Sequence, residues 1–126
     1  LDTNVYCDAM RGHPWAVELL RSVDKIFISP VVIGELLAGF KSGTQEKRNR
    51  KQLDSFLAKD SVEILQITEK TSEFYSYIQI SLKKAGTPIP TNDIWIAANA
   101  MENGTILATS DRHFSNIAGL ILFDVH

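Results

Sequence analysis

Cysteine is almost absent from this 126-residue chain. Cys7 stands alone, which excludes an internal disulfide and a zinc site built on thiolates. No apolar stretch, residues 117–123 included, approaches the ~20 residues that a membrane-spanning helix needs. No charged leader with an apolar core opens the sequence, so a cytoplasmic protein without a membrane partner is expected. Four prolines and seven glycines are spread without a linker, a repeat or a low-complexity tract, so residues 1–126 should form one domain. The three histidines, His13, His113 and His126, show no ligand spacing and read as surface or packing residues. Strong charge of one sign is missing too, with a net charge of −2. Charge is nonetheless segregated. Residues 41–52 hold five Lys or Arg against one Glu, leaving about −6 for the rest. Lys47, Arg48, Arg50 and Lys51 therefore read equally as a solvated helix face or as a patch that contacts phosphates.

What is present is an alternation of short β-branched runs with longer amphipathic stretches, the pattern of an α/β domain. We expect a central, mainly parallel, twisted sheet of about five strands flanked by helices. Strands are placed over 25–28, 62–67, 105–109 and 120–125, and a first strand should end at Leu1, most of it lying ahead of that residue. Pro14 opens a helix with Trp15, Leu19, Leu20 and Val23 near one face. Ser29 and Pro30 start another, running to about residue 40. A polar helix over 44–58 is anchored by Leu53, Phe56 and Leu57. Thr68 caps a longer helix that Gly86 stops, and Thr91 or Asn92 caps one rich in Ala and Ile that ends near Gly104.

Four acids stand out against this scaffold. Asp2 and Asp111 each fall where an apolar run stops, at the carboxyl end of a strand, where open parallel sheets bind ligands. Taken singly, each reads as a turn or cap residue. Glu35 points between Val31 and Gly39 on a helical face poor in polar residues, where a carboxylate is costly to bury unless paired or metal-bound. Asp93 lies in the first turn of the late helix, where suiting the helix dipole would be reason enough. One shared edge of the sheet would account for all four. Carboxylates converging there would raise one another's pKa values unless a cation neutralised them. An all-oxygen set suits Mg²⁺, with Mn²⁺ possible, better than zinc.

Four phrases carry a resemblance: Asp2-Thr3-Asn4; residues 29–36, containing Ser29, Pro30 and Glu35; residues 92–98, containing Asn92 and Asp93; and residues 109–114, from Thr109 to Phe114. In this order and spacing the chain resembles the PIN domain family, and more narrowly its VapC ribonuclease toxins. The resemblance implies a Mg²⁺-dependent endoribonuclease holding one or two ions. It also implies a homodimer, inhibited by a small antitoxin protein whose tail crosses the active site. By position, Asp2, Glu35, Asp93 and Asp111 match the family's acidic quartet as metal ligands and catalytic residues. Thr109 or Ser110 would supply a supporting hydroxyl, with Asn4 counted among the supporting residues. A chain beginning at Leu1 would hold Asp2 on a short end, and its metal affinity is expected to suffer.

RNA phosphates would be guided by Lys41, Lys47, Arg48, Arg50 and Arg112, and bases would stack on Trp15 or Tyr6, although core packing suits Trp15 better. The antitoxin would lie beside the second of these helices, over Val32, Leu36, Leu37 and Phe40. Three other readings remain: a PIN-type RNA-processing nuclease without antitoxin, a non-catalytic nucleic-acid-binding module whose acids are caps, and a phosphatase-like α/β domain. The last works with a second aspartate two residues after the first, a position held here by Asn4.

Overall fold

The computed structural model describes residues 1–124; Val125 and His126 lie outside the described residues, and with them the end of the last expected strand. In chain order the elements are α1 (Thr3–Met10), α2 (Pro14–Ser22), β1 (Ile26–Ile28), α3 (Pro30–Ser42), α4 (Glu46–Leu57) and β2 (Val62–Ile64). They continue with α5 (Glu69–Ala85), α6 (Thr91–Glu102), β3 (Leu107–Thr109), a short 3-10 helix (Arg112–Asn116) and β4 (Leu122–Asp124).

The α/β class and the parallel pairing match the sequence reading, but the sheet differs from the expected form. Among the described residues there are two parallel pairs, β1 with β2 and β3 with β4, in place of one sheet of about five strands. The expected first strand is represented by two residues that join the pairs. The amine of Leu1 donates to the Phe27 carbonyl on β1 (3.0 Å), and the Asp2 N–H donates to the Ala108 carbonyl on β3 (3.0 Å). Two residues with one bond to each side are too few to pair as a strand, yet they fix Asp2 between the pairs.

Helix α1 was not anticipated. Asp2 starts it as an N-cap, its side chain accepting from the Thr3 N–H at 2.8 Å, and Val5, Tyr6 and Ala9 turn inward. Tyr6 is consequently part of the core, edge-on to Phe56 at 5.2 Å between centroids, and cannot serve RNA stacking. Burial pushes its hydroxyl pKa up to about 12. Trp15 is half-buried on α2.

The remaining boundaries follow local chemistry. Ser29 caps α3 by accepting from the Val31 N–H (3.2 Å), and Pro30 takes the first helical position, where no N–H is needed. Gly86 closes α5 at φ +73°, a conformation that favours glycine. The expected cap of α6 is not formed by Thr91 or Asn92: Pro90 occupies that position, and Asn92 turns its side chain elsewhere. Helix α6 is the centre of the fold. Ile94, Ile96, Ala97, Ala98, Asn99 and Ala100 are all buried, and its small alanines let α5 pack closely. On α3, Val32 and Leu36 are also buried in this core, so the groove expected beside that helix keeps only Leu37 and Phe40 half-exposed. No helix among the described residues is long and apolar enough to cross a membrane.

Candidate metal centre

The site is assembled from four separate elements. Asp2 is 5% exposed and uses its two carboxylate oxygens differently. Oδ1 caps α1, while Oδ2 accepts from the Thr109 hydroxyl at 2.6 Å. The same Thr109 oxygen accepts from the Asp111 N–H at 2.9 Å, so this one buried hydroxyl links the start of the chain to the segment after β3. Burial pushes the Asp2 pKa up, and the Thr109 and Thr3 hydrogen bonds pull it part of the way back.

Glu35 projects from the second turn of α3 and is held at both oxygens. Oε1 accepts from the Thr3 hydroxyl at 2.5 Å, and Oε2 accepts from the Asn92 amide at 3.3 Å. Its stem is half-buried, so the carboxylate expected on an apolar face is paid for by two donors, one from α1 and one from α6.

Asp111 caps the 3-10 helix by accepting from the His113 N–H at 2.9 Å. Asp93 lies in the first turn of α6 with its side chain only 15% exposed. Among the described residues no donor hydrogen-bonds its carboxylate, and the His113 Nδ1 lies 3.7 Å from its Oδ2. Burial first, then the charges of Asp2, Asp111 and Glu35, push its pKa up to about 6, with His113 opposing them. Asp93 therefore lies within electrostatic reach of the other three acids.

Of the other residues anticipated for the site, Thr109 is at its centre. Ser110 is half-buried, and Asn4 is exposed on the first turn of α1; neither side chain hydrogen-bonds to another described residue. Thr3, one residue before Asn4, makes the contact instead. The cations are spread over the surface. Lys41 pairs with Glu46 at 3.0 Å and Arg50 with Asp54 at 3.2 Å, while Lys47, Arg48, Lys51 and Arg112 are exposed. Glu46, Lys47, Arg48, Arg50, Lys51 and Asp54 line one shallow groove along α4.

Sequence reasoning missed three contributors: Thr3, Asn92 and His113. Thr3 and Asn92 each adjoin an acid of the cluster, and that adjacency was the available signal. His113 is separated from Asp111 by one residue but reaches Asp93 only through the fold: one donor atom each from Asp93, Asp111 and His113 lies within 4.8 Å of the others. This donor set fits a divalent cation by its chemistry. The cation would relieve the repulsion that the Asp93 carboxylate otherwise bears without a hydrogen bond.

A parallel α/β scaffold with an acid cluster at the strand ends defines a class, and comparison with known proteins gives the family. The profile of the PIN domain matches residues 1–120, and the chain belongs to that family. It is 33% identical to Ribonuclease VapC2 of Rickettsia felis, over 97% of this chain and 93% of the relative. It is 30% identical to Ribonuclease VapC2 of Haemophilus influenzae, over 95% and 92% respectively. Among solved structures, VapBC2 from Rickettsia felis bound to a DNA fragment from its promoter superposes with a TM-score of 0.84 at 31% identity, covering 96% of this chain and 93% of the other.

Proposed function

We propose that this chain is a divalent-metal-dependent endoribonuclease of the VapC kind, with Asp2, Glu35, Asp93 and Asp111 as its acidic quartet. The observation that carries this reading is Asp93. Asp2 and Asp111 cap helices, and Glu35 is tied to Thr3 and Asn92, but among the described residues no hydrogen bond holds the Asp93 carboxylate, which meets only the His113 ring at 3.7 Å. A carboxylate kept poorly exposed among three others, at the cost of a pKa near 6, is suited to receiving a cation.

Asp93 and Asp111 would hold Mg²⁺ or Mn²⁺ directly, with Asp2 completing the charge and Glu35 as a further ligand or as the orienter of a water. A bound divalent ion, one or two in number, supplies Lewis-acid stabilisation of the charge that develops on a phosphodiester during hydrolysis. The chain's own part is to fix the acids. Thr109 holds Asp2 against Asp111, and Thr3 and Asn92 hold Glu35, so that little reorganisation is needed when substrate arrives. The exposed cations of α4, with Lys41 and Arg112, would draw in RNA phosphates without reading sequence.

The relatives named ribonuclease support the RNA substrate, and the VapBC complex supports a small antitoxin as partner. A basic side chain from that partner, set among the four acids, would compete with the cation. The capping bonds of Asp2 and Asp111 favour one rival reading, a binding module whose acids are purely structural.

Cleavage of a mixed structured RNA separates the two. The nuclease reading expects cutting with Mg²⁺, none with EDTA, and a loss of at least about a hundredfold in Asp93→Asn. RNA binding without cutting, indifferent to Mg²⁺ and to Asp93→Asn, would establish the binding module.

A further inference from the structure

His113 occupies a position that the acidic quartet does not explain. Its ring returns over the start of the 3-10 helix, with Nδ1 at 3.2 Å from Asp111 Oδ1 and 3.7 Å from Asp93 Oδ2. The backbone beneath it is anchored on both sides. The His113 N–H donates to Asp111, and the next residue, Phe114, is fully buried. The ring is half-exposed, which leaves its outer side to water or substrate.

These spacings approach those of a coordination shell. An octahedral ion with bonds of about 2.1 Å sets neighbouring ligand atoms about 3 Å apart and opposite ones about 4.2 Å apart. The two separations from Nδ1, 3.2 and 3.7 Å, fall between those values, while the three donor atoms together span up to 4.8 Å, so a cation would have to draw the two carboxylates closer.

We infer that His113 is a metal ligand through Nδ1, turning an all-oxygen site into a mixed oxygen and nitrogen one that prefers Mn²⁺ to Mg²⁺. This rests on the acid cluster being a metal site, as proposed above. Mg²⁺ is a hard ion that takes oxygen ligands, whereas first-row transition ions gain from an imidazole, so the preference should depend on this one ring. Asp93 and Asp111 supply the charge, and His113 supplies the discrimination.

Pulsed electron paramagnetic resonance on the Mn²⁺-loaded full chain tests this without reference to activity. The expected result is ¹⁴N coupling to Mn²⁺ in the wild type, retained in His13→Ala and lost in His113→Ala. Calorimetry on the same proteins should show His113→Ala weakening Mn²⁺ binding about 10- to 100-fold, with Mg²⁺ binding changed less than about threefold. Circular dichroism melts of His113→Ala and His113→Asn should stay near the wild type, because the capping bond of residue 113 comes from its backbone. Bound Mn²⁺ without ¹⁴N coupling, coupling that survives His113→Ala, or equal losses for both ions would overturn the ligand role and leave the metal site standing. Wild-type protein that takes up neither ion would overturn both.

Discussion

The acid edge and the basic face of α4 carry comparable numbers of charges but hold them in opposite ways. At the acid edge Asp2, Glu35 and Asp111 are bound by hydroxyls, an amide and main-chain N–H groups, and Asp2 is 5% exposed. On α4 the cations sit on long exposed side chains, two of the nearby ones satisfied by carboxylates on or next to the same helix. Fixed charges in a poorly hydrated setting can stabilise a defined transition state. Mobile, screened charges can raise local substrate concentration but cannot orient a reacting group. On the proposed function, the difference would give chemistry to one region and capture to the other.

The largest expected break in this contrast comes from Thr109→Val. It leaves Asp2 Oδ2 without its donor and the Asp111 N–H without its acceptor, in a buried setting. Chemical denaturation should show a loss of about 2–3 kcal/mol, and calorimetry a metal affinity lower by about 10- to 100-fold. Thr109→Ser keeps the hydroxyl and should recover most of both.

A smaller effect follows from Asp93. Its folded pKa of about 6 stands above its ordinary 3.8, so between these values the folded chain holds a proton that the unfolded chain has released. Stability of the metal-free protein should therefore fall as pH rises from about 4 to about 6, a component absent from melts of Asp93→Asn. Metal binding requires the ionised form, so uptake at pH 5 should be about tenfold weaker than at pH 7 from this group alone. Smallest of all is the effect of replacing Lys47, Arg48 and Lys51 together by Gln. Steady-state kinetics should show KM for RNA raised about 3- to 10-fold at low salt with kcat unchanged, the difference shrinking as salt is added. Fold stability should move by less than about 0.5 kcal/mol.

Elements with a strong local pattern were legible in the sequence. The polar helix α4 buries Leu53 and Phe56 as its pattern requires, and Ser29, Pro30 and Gly86 stand at the ends that their backbone chemistry dictates. Strands were drawn too long because apolar character outlasts pairing: β2 ends at Ile64, although the Leu65 N–H still reaches the Ile28 carbonyl. Helix α1 escaped notice because a strand end and an N-cap share the same aspartate. One side chain makes both contacts at once, since Asp2 caps α1 with one oxygen and accepts from Thr109 with the other. The four acids could be picked out by position. Thr3 and Asn92 offered only their adjacency to Asp2 and Asp93, and His113 no signal, because their contacts join residues 32, 57 and 20 positions apart and exist only once the helices are packed.

The most direct test of the joined acid cluster is a calorimetric titration of Mg²⁺ and Mn²⁺ into the wild type, Asp93→Asn and Asp111→Asn. Saturable uptake by the wild type, lost in either variant while the fold persists, is the predicted result. Uptake unchanged in both variants, or absent from the wild type, would contradict it and return these carboxylates to the role of helix caps and surface charge.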